Sequence, residues 1–210
     1  MKFENEYFNE NYANYNKQNP KRKIKSYLKE ILRYKKSGKL LDIGCAYGVF
    51  IEYAKKYFDT YGTDTSEYAI KIAGKKRLEV RKTTTERTPF KENMFDVVTM
   101  FDVIEHIHNL ENIFTEVRRI LKRNGTFVLS MPVYDGIAGK IVEKIDKDPT
   151  HIHKESRRFW IDQLKQNGFK IIEYKGIMRY FFLKQYYIHK ITRTLRGYAP
   201  AILIIAIQQK

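Results

Sequence analysis

The chain has 210 residues, of which 43% are hydrophobic and 14% aromatic, and this length suits one domain with a single buried core. Its longest apolar run, AILIIAI at residues 201–207, is much shorter than the roughly eighteen apolar residues of a membrane-spanning helix, so an integral membrane protein is not expected. The formal net charge of +16 favours anionic partners, including nucleic acid, phosphorylated sugars or lipids, and acidic membrane surfaces, without choosing among them.

The N-terminal segment, residues 1–16, contains acids and asparagines where a secretory signal has a basic start and an apolar core, so we expect a cytoplasmic protein. The single cysteine, Cys45, cannot form an internal disulfide and lies in a glycine-rich turn, which favours a structural role. The positive charge is concentrated in residues 17–36 and 165–196. A solvated lysine-rich surface explains this charge as well as an anionic partner does.

The first two thirds of the chain alternate between strand and helix patterns. A tyrosine-rich arm and a first helix occupy residues 1–37. Strands are predicted at residues 39–44, 60–64, 78–83, 95–102 and 126–132. Helices are predicted at residues 49–58, 66–76 and 110–125, the last of them ended by Asn124-Gly125. Such alternation indicates a parallel sheet covered by helices on both faces.

The last third departs from this alternation. The patterns predict a helical insertion at 136–148, a capped helix at 155–168, a strand at 169–177, a helix-like segment at 178–196 and a buried strand at 201–207. Since no repeat or linker divides the chain, we predict one domain over residues 1–210, with residues 136–160 and 178–196 as cap insertions.

The segment LLDIGCAYG, residues 40–48, carries the first chemical signal. Asp42, Gly44, Ala46 and Gly48 have the spacing of an acid-x-G-x-G-x-G loop in which alanine replaces the middle glycine. In a doubly wound sheet, ligands bind outside the carboxyl ends of the strands, where a helix begins. Asp64 ends the next strand, twenty residues beyond Gly44, and its carboxylate can accept hydrogen bonds from both hydroxyls of a ribose. The alternative is an ordinary strand-turn-helix with convenient glycines.

A dinucleotide site would need the spacing G-x-G-x-x-G, which this loop does not have. Asp42 would lie inside the strand, where a carboxylate is hard to place beside a pyrophosphate. It is easily placed near a ligand with an ammonium group, such as the methionine part of S-adenosylmethionine.

Four blocks of the sequence, at residues 40–50, 61–70, 83–98 and 101–132, together resemble the class I S-adenosylmethionine-dependent methyltransferases. The resemblance runs from about Leu40 to Ile177, and it is strongest to the group of ubiquinone-biosynthesis O-methyltransferases and methyltransferases of types 11 and 23. It implies a Rossmann-like, doubly wound α/β fold with a seven-stranded sheet in the order 3-2-1-4-5-7-6 and a small helical cap. Relatives often fold an N-terminal arm over the cofactor, which here would use Tyr7, Phe8, Tyr12 and Tyr15.

The resemblance also implies which residues bind S-adenosylmethionine and its product S-adenosylhomocysteine. They are Asp42, Gly44, Ala46 and Gly48 on the methionine side, Asp64 and Thr65 at the ribose, Thr85 and Glu86 beside the adenine, and Phe101 and Asp102 closing the pocket. The sequence departs from the family at Thr84, where many relatives carry an acid that contacts the adenine amino group. Adenine recognition would then depend on backbone groups and Thr85.

The segment FDVIEHIH, residues 101–108, suggests a metal site. Asp102, Glu105 and His106 are spaced at i, i+3 and i+4, so they would share one face of a helix and offer oxygen and imidazole ligands. The spacing is similar to the magnesium-binding E-x-x-E-H stretch of the ubiquinone-pathway enzymes, with Asp102 in place of the first glutamate. The alternative, in line with most relatives, is that these residues shape the pocket without a metal.

Methyl transfer to oxygen requires the acceptor to lose its proton as it attacks, and a histidine of near-neutral pKa is a suitable base. His106 is the first candidate, with Glu105 beside it, and His151 in the segment DPTHIHKES is the second. His153 in the same segment is interpreted as a surface residue without a catalytic role.

The resemblance implies an S-adenosylmethionine-dependent methyltransferase that acts on oxygen of a small, sugar-linked or lipid-linked acceptor, and the net charge of +16 is compatible with an anionic acceptor. The aromatic and basic residues of segment 178–196 also suit contact with the inner membrane surface or with single-stranded nucleic acid. Two alternatives stay open. One is an RNA methyltransferase, although FDVI stands where an NPPY-like tetrapeptide would follow strand four. The other is a non-catalytic partner subunit that binds the cofactor.

Overall fold

A mixed sheet forms the centre of the computed structural model, which describes residues 19–146, 148–182 and 186–209, with side chains described outside residues 180–188. The residues proposed as an N-terminal lid lie outside these ranges. The sheet order is β3-β2-β1-β4-β5-β8-β6-β7. The strands are β1 Lys39–Ile43, β2 Asp59–Asp64, β3 Glu79–Lys82, β4 Phe95–Phe101, β5 Leu121–Pro132, β6 Phe169–Phe182, β7 Tyr186–Thr192 and β8 Ala201–Gln208.

The strands β1 to β5 run parallel, and β8 pairs antiparallel with both β5 and β6. The α-helices of the described residues are α1 Lys21–Ile31, α2 Val49–Ala54, α3 Glu67–Lys75, α4 Leu110–Ile120, α5 Gly136–Ile145 and α6 Arg157–Gln166. None of them combines the length and apolar composition that crossing a bilayer requires.

Alternate residues of the strands enter two cores on opposite faces of the sheet, as the two-residue period of a strand requires. Leu41 packs with α4 and α6 on one face, whereas Leu40 packs with α1 and α2 on the other. The apolar run predicted as a buried strand is β8, which is enclosed on both faces and both edges. The predicted doubly wound α/β fold is therefore confirmed.

The sheet order matches the prediction once one added strand is taken into account. The strand at the end of the sequence lies between β5 and β6, as expected, but β7 is added at the edge. The prediction of a helix-like segment at 178–196 is wrong, because residues 178–182 continue β6 and β7 pairs antiparallel with residues 176–182. The physical reason is the run YYIHKIT, whose aromatic and β-branched residues favour a strand.

Two predicted helices are shorter in the structure. The helix expected to end at Asn124-Gly125 ends at Ile120, because Leu121 already pairs with Phe95 in the sheet. Residues 122–125 form a bulge before pairing resumes at Thr126, and Asn124 there has a φ of 63°. The helix predicted at 49–58 ends at Ala54.

Candidate functional site

The loop between β1 and α2 is a tight turn with three residues in the left-handed region. The φ angles are 75° at Gly44, 45° at Ala46 and 70° at Gly48. A Cβ atom at Gly44 would lie 2.3 Å from Cγ2 of Val103, so only glycine fits this position. The turn is held to β2 by the carbonyl oxygen of Thr63, which accepts hydrogen bonds from the N–H groups of Gly44 and Cys45. The sequence spacing thus corresponds to a tight, largely buried turn at the carboxyl ends of β1 and β2.

Asp64 joins this loop to the start of α3. Its Oδ2 accepts a hydrogen bond of 2.8 Å from the N–H of Ala46, and its Oδ1 accepts one of 2.9 Å from the N–H of Ser66. Each carboxylate oxygen can accept a second hydrogen bond, so capacity remains for the two hydroxyls of a ribose. Asp64 and the Gly44 loop therefore fit the ribose of S-adenosylmethionine, the cofactor that the resemblance implies.

Asp42 is a buried carboxyl in the middle of the sheet. Its Oδ1 accepts a hydrogen bond of 2.6 Å from Oγ1 of Thr99. Burial raises the pKa of Asp42 to about 7, and the negative charge of Asp64 adds to the effect while the bond from Thr99 opposes it. A cationic ligand group nearby would favour the ionised form of this carboxyl. Asp42 therefore fits a ligand with an ammonium group.

Asp102 lies in a cluster of ion pairs at the end of β4. It has a φ of 55°, and its Oδ2 is 3.2 Å from Nζ of Lys23 and 2.9 Å from Nη1 of Arg179. Burial opposes ionisation, but the two cations hold the pKa of Asp102 well below its usual range. The expectation that Asp102, Glu105 and His106 share a helical face is wrong, because only Ile104–His106 are helical, as a single 3-10 turn.

A second cluster brings together Glu105, His106 and His151. Each offers one ligand-type atom, and these atoms all lie within 4.8 Å of one another. The Glu105 side chain is buried, and its Oε2 has no hydrogen-bond partner in the part of the chain that the structure describes. Burial and the charge of Asp102 raise the pKa of Glu105 well above its usual range. The sequence predicted all three residues as catalytic candidates, and the fold brings them into one cluster.

The Nδ1 atoms of His106 and His151 each lie at hydrogen-bond distance from an acceptor oxygen. His106 Nδ1 lies 3.0 Å from the carbonyl oxygen of Thr150, and His151 Nδ1 lies 2.7 Å from Oδ2 of Asp146. A carbonyl or carboxylate oxygen can only accept, so each Nδ1 carries the hydrogen and each neutral ring has its lone pair on Nε2. Burial lowers the pKa of His106, and the neighbouring His151 lowers it further.

Asp146 and Tyr134 are site residues that the sequence interpretation missed. Oδ2 of Asp146 accepts hydrogen bonds from His151 and from the hydroxyl of Tyr134, the latter at 2.5 Å. Although burial opposes it, these two bonds lower the pKa of Asp146 to about 2. Asp146 lies within the predicted insertion, five residues before a candidate base, and this spacing was a usable signal for it. No sequence signal indicated Tyr134, because its hydrogen bond to Asp146 depends on how the end of α5 packs beside the end of β5.

The remaining predicted residues lie around these clusters. Phe101 is half-buried and stacks on Tyr27 with ring centroids 4.4 Å apart. Thr65 is exposed after β2, while Thr85 and Glu86 are half-buried in the loop between β3 and β4. Glu86 lines a cleft of about 490 Å³ with Arg87, Thr88, Phe90, Glu116 and Arg119. His153 bonds to the carbonyl oxygen of Ile107 at 2.9 Å and packs on Trp160, which is a structural role.

Comparisons with known proteins bear on this arrangement. Residues 14–174 match a family model described as a methyltransferase domain. An uncharacterized protein of Methanocaldococcus jannaschii is 31% identical over 153 residues, which are 71% of this chain and 73% of that protein. A sterol 24-C-methyltransferase of Gibberella zeae is 25% identical over 172 residues, covering 72% of this chain and 44% of that enzyme.

Among solved structures, the chain is similar to an S-adenosylmethionine-dependent methyltransferase of Thermotoga maritima, described as a possible histamine N-methyltransferase. The TM-score is 0.76 at 23% identity, and the alignment covers 100% of both chains. At that identity the likeness concerns the fold. The region matched by the family model contains the Gly44 loop, Asp64 and the cluster of Glu105, His106 and His151.

Proposed function

This chain belongs to the S-adenosylmethionine-dependent methyltransferases of class I, and on that premise we propose that it acts in the cytoplasm on a hydroxyl oxygen of a small, sugar-linked or lipid-linked acceptor. When bound, S-adenosylmethionine supplies a methyl group whose bond to sulfur breaks as the acceptor oxygen attacks, leaving S-adenosylhomocysteine. The observation that carries the proposal is the pair of Asp146 and His151 beside His106 and Glu105. Such a pair can accept the proton that a hydroxyl must lose.

The cofactor is held, in this proposal, by the edge formed by the Gly44 loop and β2. Asp64 binds the ribose hydroxyls with the lone pairs that Ala46 and Ser66 leave free. Asp42 faces the ammonium end of the methionine part, where a cation offsets the cost of ionising a buried carboxyl. Phe101 and the loop of Thr85 and Glu86 complete the pocket.

His151 is the base in this proposal, and Asp146 is its positioning residue. The Nδ1–H group of His151 is donated to Asp146, so Nε2 takes the acceptor proton. The carboxylate of Asp146 then stabilises the imidazolium that forms. His106 lies with its ring centroid 4.7 Å from that of His151 and shapes the acceptor side of the cluster. The buried Glu105 has a raised pKa, which suits a neutral carboxyl that can donate a hydrogen bond to the acceptor.

The test is transfer of a labelled methyl group from S-adenosylmethionine to a panel of phenols, sugars and amines. We expect methylated hydroxyls, and we expect His151→Ala to lower kcat by about 10²- to 10⁴-fold, the usual contribution of a positioned base. Asp146→Asn should lower kcat and shift its pH profile. His108→Ala, an exposed histidine outside the cluster, is the matched control. Binding of S-adenosylhomocysteine by calorimetry should be the same in all variants.

A His151→Ala protein with normal turnover would contradict the base assignment. Methylation of amines alone would contradict the choice of oxygen. Label found in RNA, with salt-dependent RNA binding, would replace the proposal by the RNA methyltransferase alternative. Turnover that appears only after another protein is added would favour a partner subunit.

The same cluster has a second candidate use, as a metal site. The two histidines are held through Nδ1 by a carbonyl and a carboxylate, as metal-binding histidines usually are, and the buried Glu105 has an oxygen free for a ligand bond. Two imidazoles and one carboxylate suit zinc or a similar ion better than magnesium, which prefers oxygen ligands. Dialysis against EDTA separates the two uses. If His151 acts as a base without a metal, EDTA leaves the activity unchanged. If the cluster binds a metal, EDTA abolishes the activity, adding the ion restores it, and elemental analysis detects the ion in the protein.

A further inference from the structure

The helix α5 carries a stripe of large apolar side chains on its solvent side. Ile137, Ile141 and Ile145 are 77%, 56% and 68% exposed. Their spacing of four residues places them on one face of the helix. Isolated apolar residues on a surface are ordinary, but three isoleucines in a row on one short helix form a contiguous patch of the kind that marks an interaction site.

Positive charge borders this stripe. Lys140 and Lys144 are exposed and follow Ile137 and Ile141 by three residues, so they lie along the edge of the same face. Gly139, on the opposite side of the helix, is buried. The helix packs so closely there that a Cβ atom at this position would lie 2.6 Å from the backbone of Tyr134. The helix therefore presents an apolar stripe with lysines beside it, which is the arrangement of helices that lie in a membrane interface.

The turn at residues 195–198 lies next to the start of α5 and carries two more exposed apolar side chains. Leu195 is 44% exposed and Tyr198 is 67% exposed. Arg157 fixes this turn to the start of α5, because its Nη2 lies 3.1 Å from Oδ1 of Asp135 and its guanidinium also bonds to the carbonyl oxygens of Gly197 and Ala199. The helix and the turn are thus held as one unit, which we name the α5 surface: Ile137, Lys140, Ile141, Lys144, Ile145, Leu195 and Tyr198.

We propose that the α5 surface docks on an anionic lipid membrane. The isoleucines and Tyr198 enter the boundary between headgroups and acyl chains, and the lysines contact the anionic headgroups. The net charge of +16 adds long-range attraction to such a membrane. An apolar stripe bordered by lysines complements this partner better than it complements an uncharged protein surface.

Docking through the α5 surface would also place the proposed catalytic cluster close to the membrane. The residue that follows α5 is Asp146, which holds His151. A membrane that contacts α5 therefore lies beside the proposed base, and a lipid-linked hydroxyl could enter without leaving the bilayer. This orientation rests on the proposed function, whereas the docking itself depends only on the α5 surface.

The test is co-sedimentation of the full chain with vesicles of phosphatidylcholine alone and of phosphatidylcholine mixed with phosphatidylglycerol. We expect binding to the mixed vesicles, weakened by salt. Ile141→Asp should lower the partition coefficient at least about tenfold, because it places a charge in the apolar boundary and repels anionic headgroups. Ile172→Asp is the matched control, since Ile172 is 42% exposed on β6, away from the α5 surface. Calorimetry with S-adenosylhomocysteine shows whether each variant is folded.

Equal binding of wild type and Ile141→Asp, or no binding to the mixed vesicles, would overturn the proposal. So would a dimer in sedimentation equilibrium that Ile141→Asp converts to monomer, because a second copy would then cover the stripe. Vesicle binding is measured without methyl transfer. Absence of hydroxyl methylation would therefore contradict the proposed function and leave the docking result standing.

Discussion

Asp42 is buried where its ionised form costs stability, and the proposed contact with a cofactor ammonium group requires that form. Its folded pKa of about 7 lies above the ordinary value, so ionising it costs stability as the pH rises from about 4 to about 7. We predict that Asp42→Asn raises the free energy of unfolding at pH 8 by about 1–3 kcal/mol, because the amide needs no charge and its oxygen can still accept the bond from Thr99. Thermal unfolding measures this, with Asp59→Asn on the exposed end of β2 as the control.

The proposed contact of Asp42 with the ammonium group predicts a pH dependence of the cofactor affinity. A bound ammonium group requires ionised Asp42, so binding should weaken as the pH falls below about 7, by up to about tenfold per pH unit. We expect calorimetric titration with S-adenosylhomocysteine to show this slope in the wild type. The Asp42→Asn variant should bind at least about tenfold more weakly at pH 8 and show no slope. A pH-independent affinity in the wild type would contradict the proposed contact between Asp42 and the ammonium group of the ligand.

The loop of Gly44 and the helix α3 allow a paired prediction at the scale of elements. Gly44→Ala places a Cβ atom 2.3 Å from Val103 at a φ of 75°, so we expect a loss of about 2 kcal/mol or more in unfolding free energy and loss of cofactor binding. Gly74→Ala lies in α3 with no atom within 4 Å of the new Cβ, and it should stabilise the protein by about 0.5–1 kcal/mol. Chemical denaturation of both variants checks the pair. Equal effects would mean that the turn tolerates a side chain.

Elements with strong local signals were predicted well from the sequence. Ser66 and Ser156 each accept a hydrogen bond from an N–H group in the first turn of the helix that follows, which is the local chemistry that marks a helix start. The positions of the loop glycines after β1 and of Asp64 at the end of β2 were predicted for a similar reason, since spacing along the chain determines them. Segment 178–196 was wrongly predicted as helix-like, because its aromatic and basic residues also fit a helix face, whereas in the fold residues 178–182 continue β6 and pair with β7. Of the partners of His151, Asp146 lies only five residues away along the chain, whereas the contact with Tyr134 depends on tertiary structure that no local pattern reports.

At the scale of the whole molecule, the two basic segments of the chain meet on one face of the sheet. Helix α1 packs against β7, and Lys23 from α1 and Arg179 from β6 converge on Asp102. Glu173 and Glu30 pair with Arg33 and Lys175 nearby. These pairs place part of the basic side chains inside the fold, whereas the net charge of +16 already subtracts the acids and is unchanged. The lysines of α5 lie outside these ion pairs.

This arrangement predicts a large effect at Asp102. Asp102→Ala leaves Lys23 buried without its carboxylate, and removing one member of a buried pair usually costs about 3–5 kcal/mol. The exposed ion pair of Lys82 and Glu67 is the control, where Glu67→Ala should cost less than about 1 kcal/mol. Urea denaturation of the two variants gives the comparison. A small effect at Asp102 would mean that Lys23 reaches solvent when its partner is removed.

The position of β8 has a consequence for how the protein is made. The edge of β5 at Pro132 is covered only when Ala201 pairs with it, so all the residues between them must leave the ribosome first. Until then β5 and β6 each present an unpaired edge to other chains, and closing so long a loop is slow. A strand that follows β6 and β7 along the chain therefore completes the middle of the sheet. Chaperone demand and aggregation of nascent chains should depend on β8 more than on any helix of the outer layers.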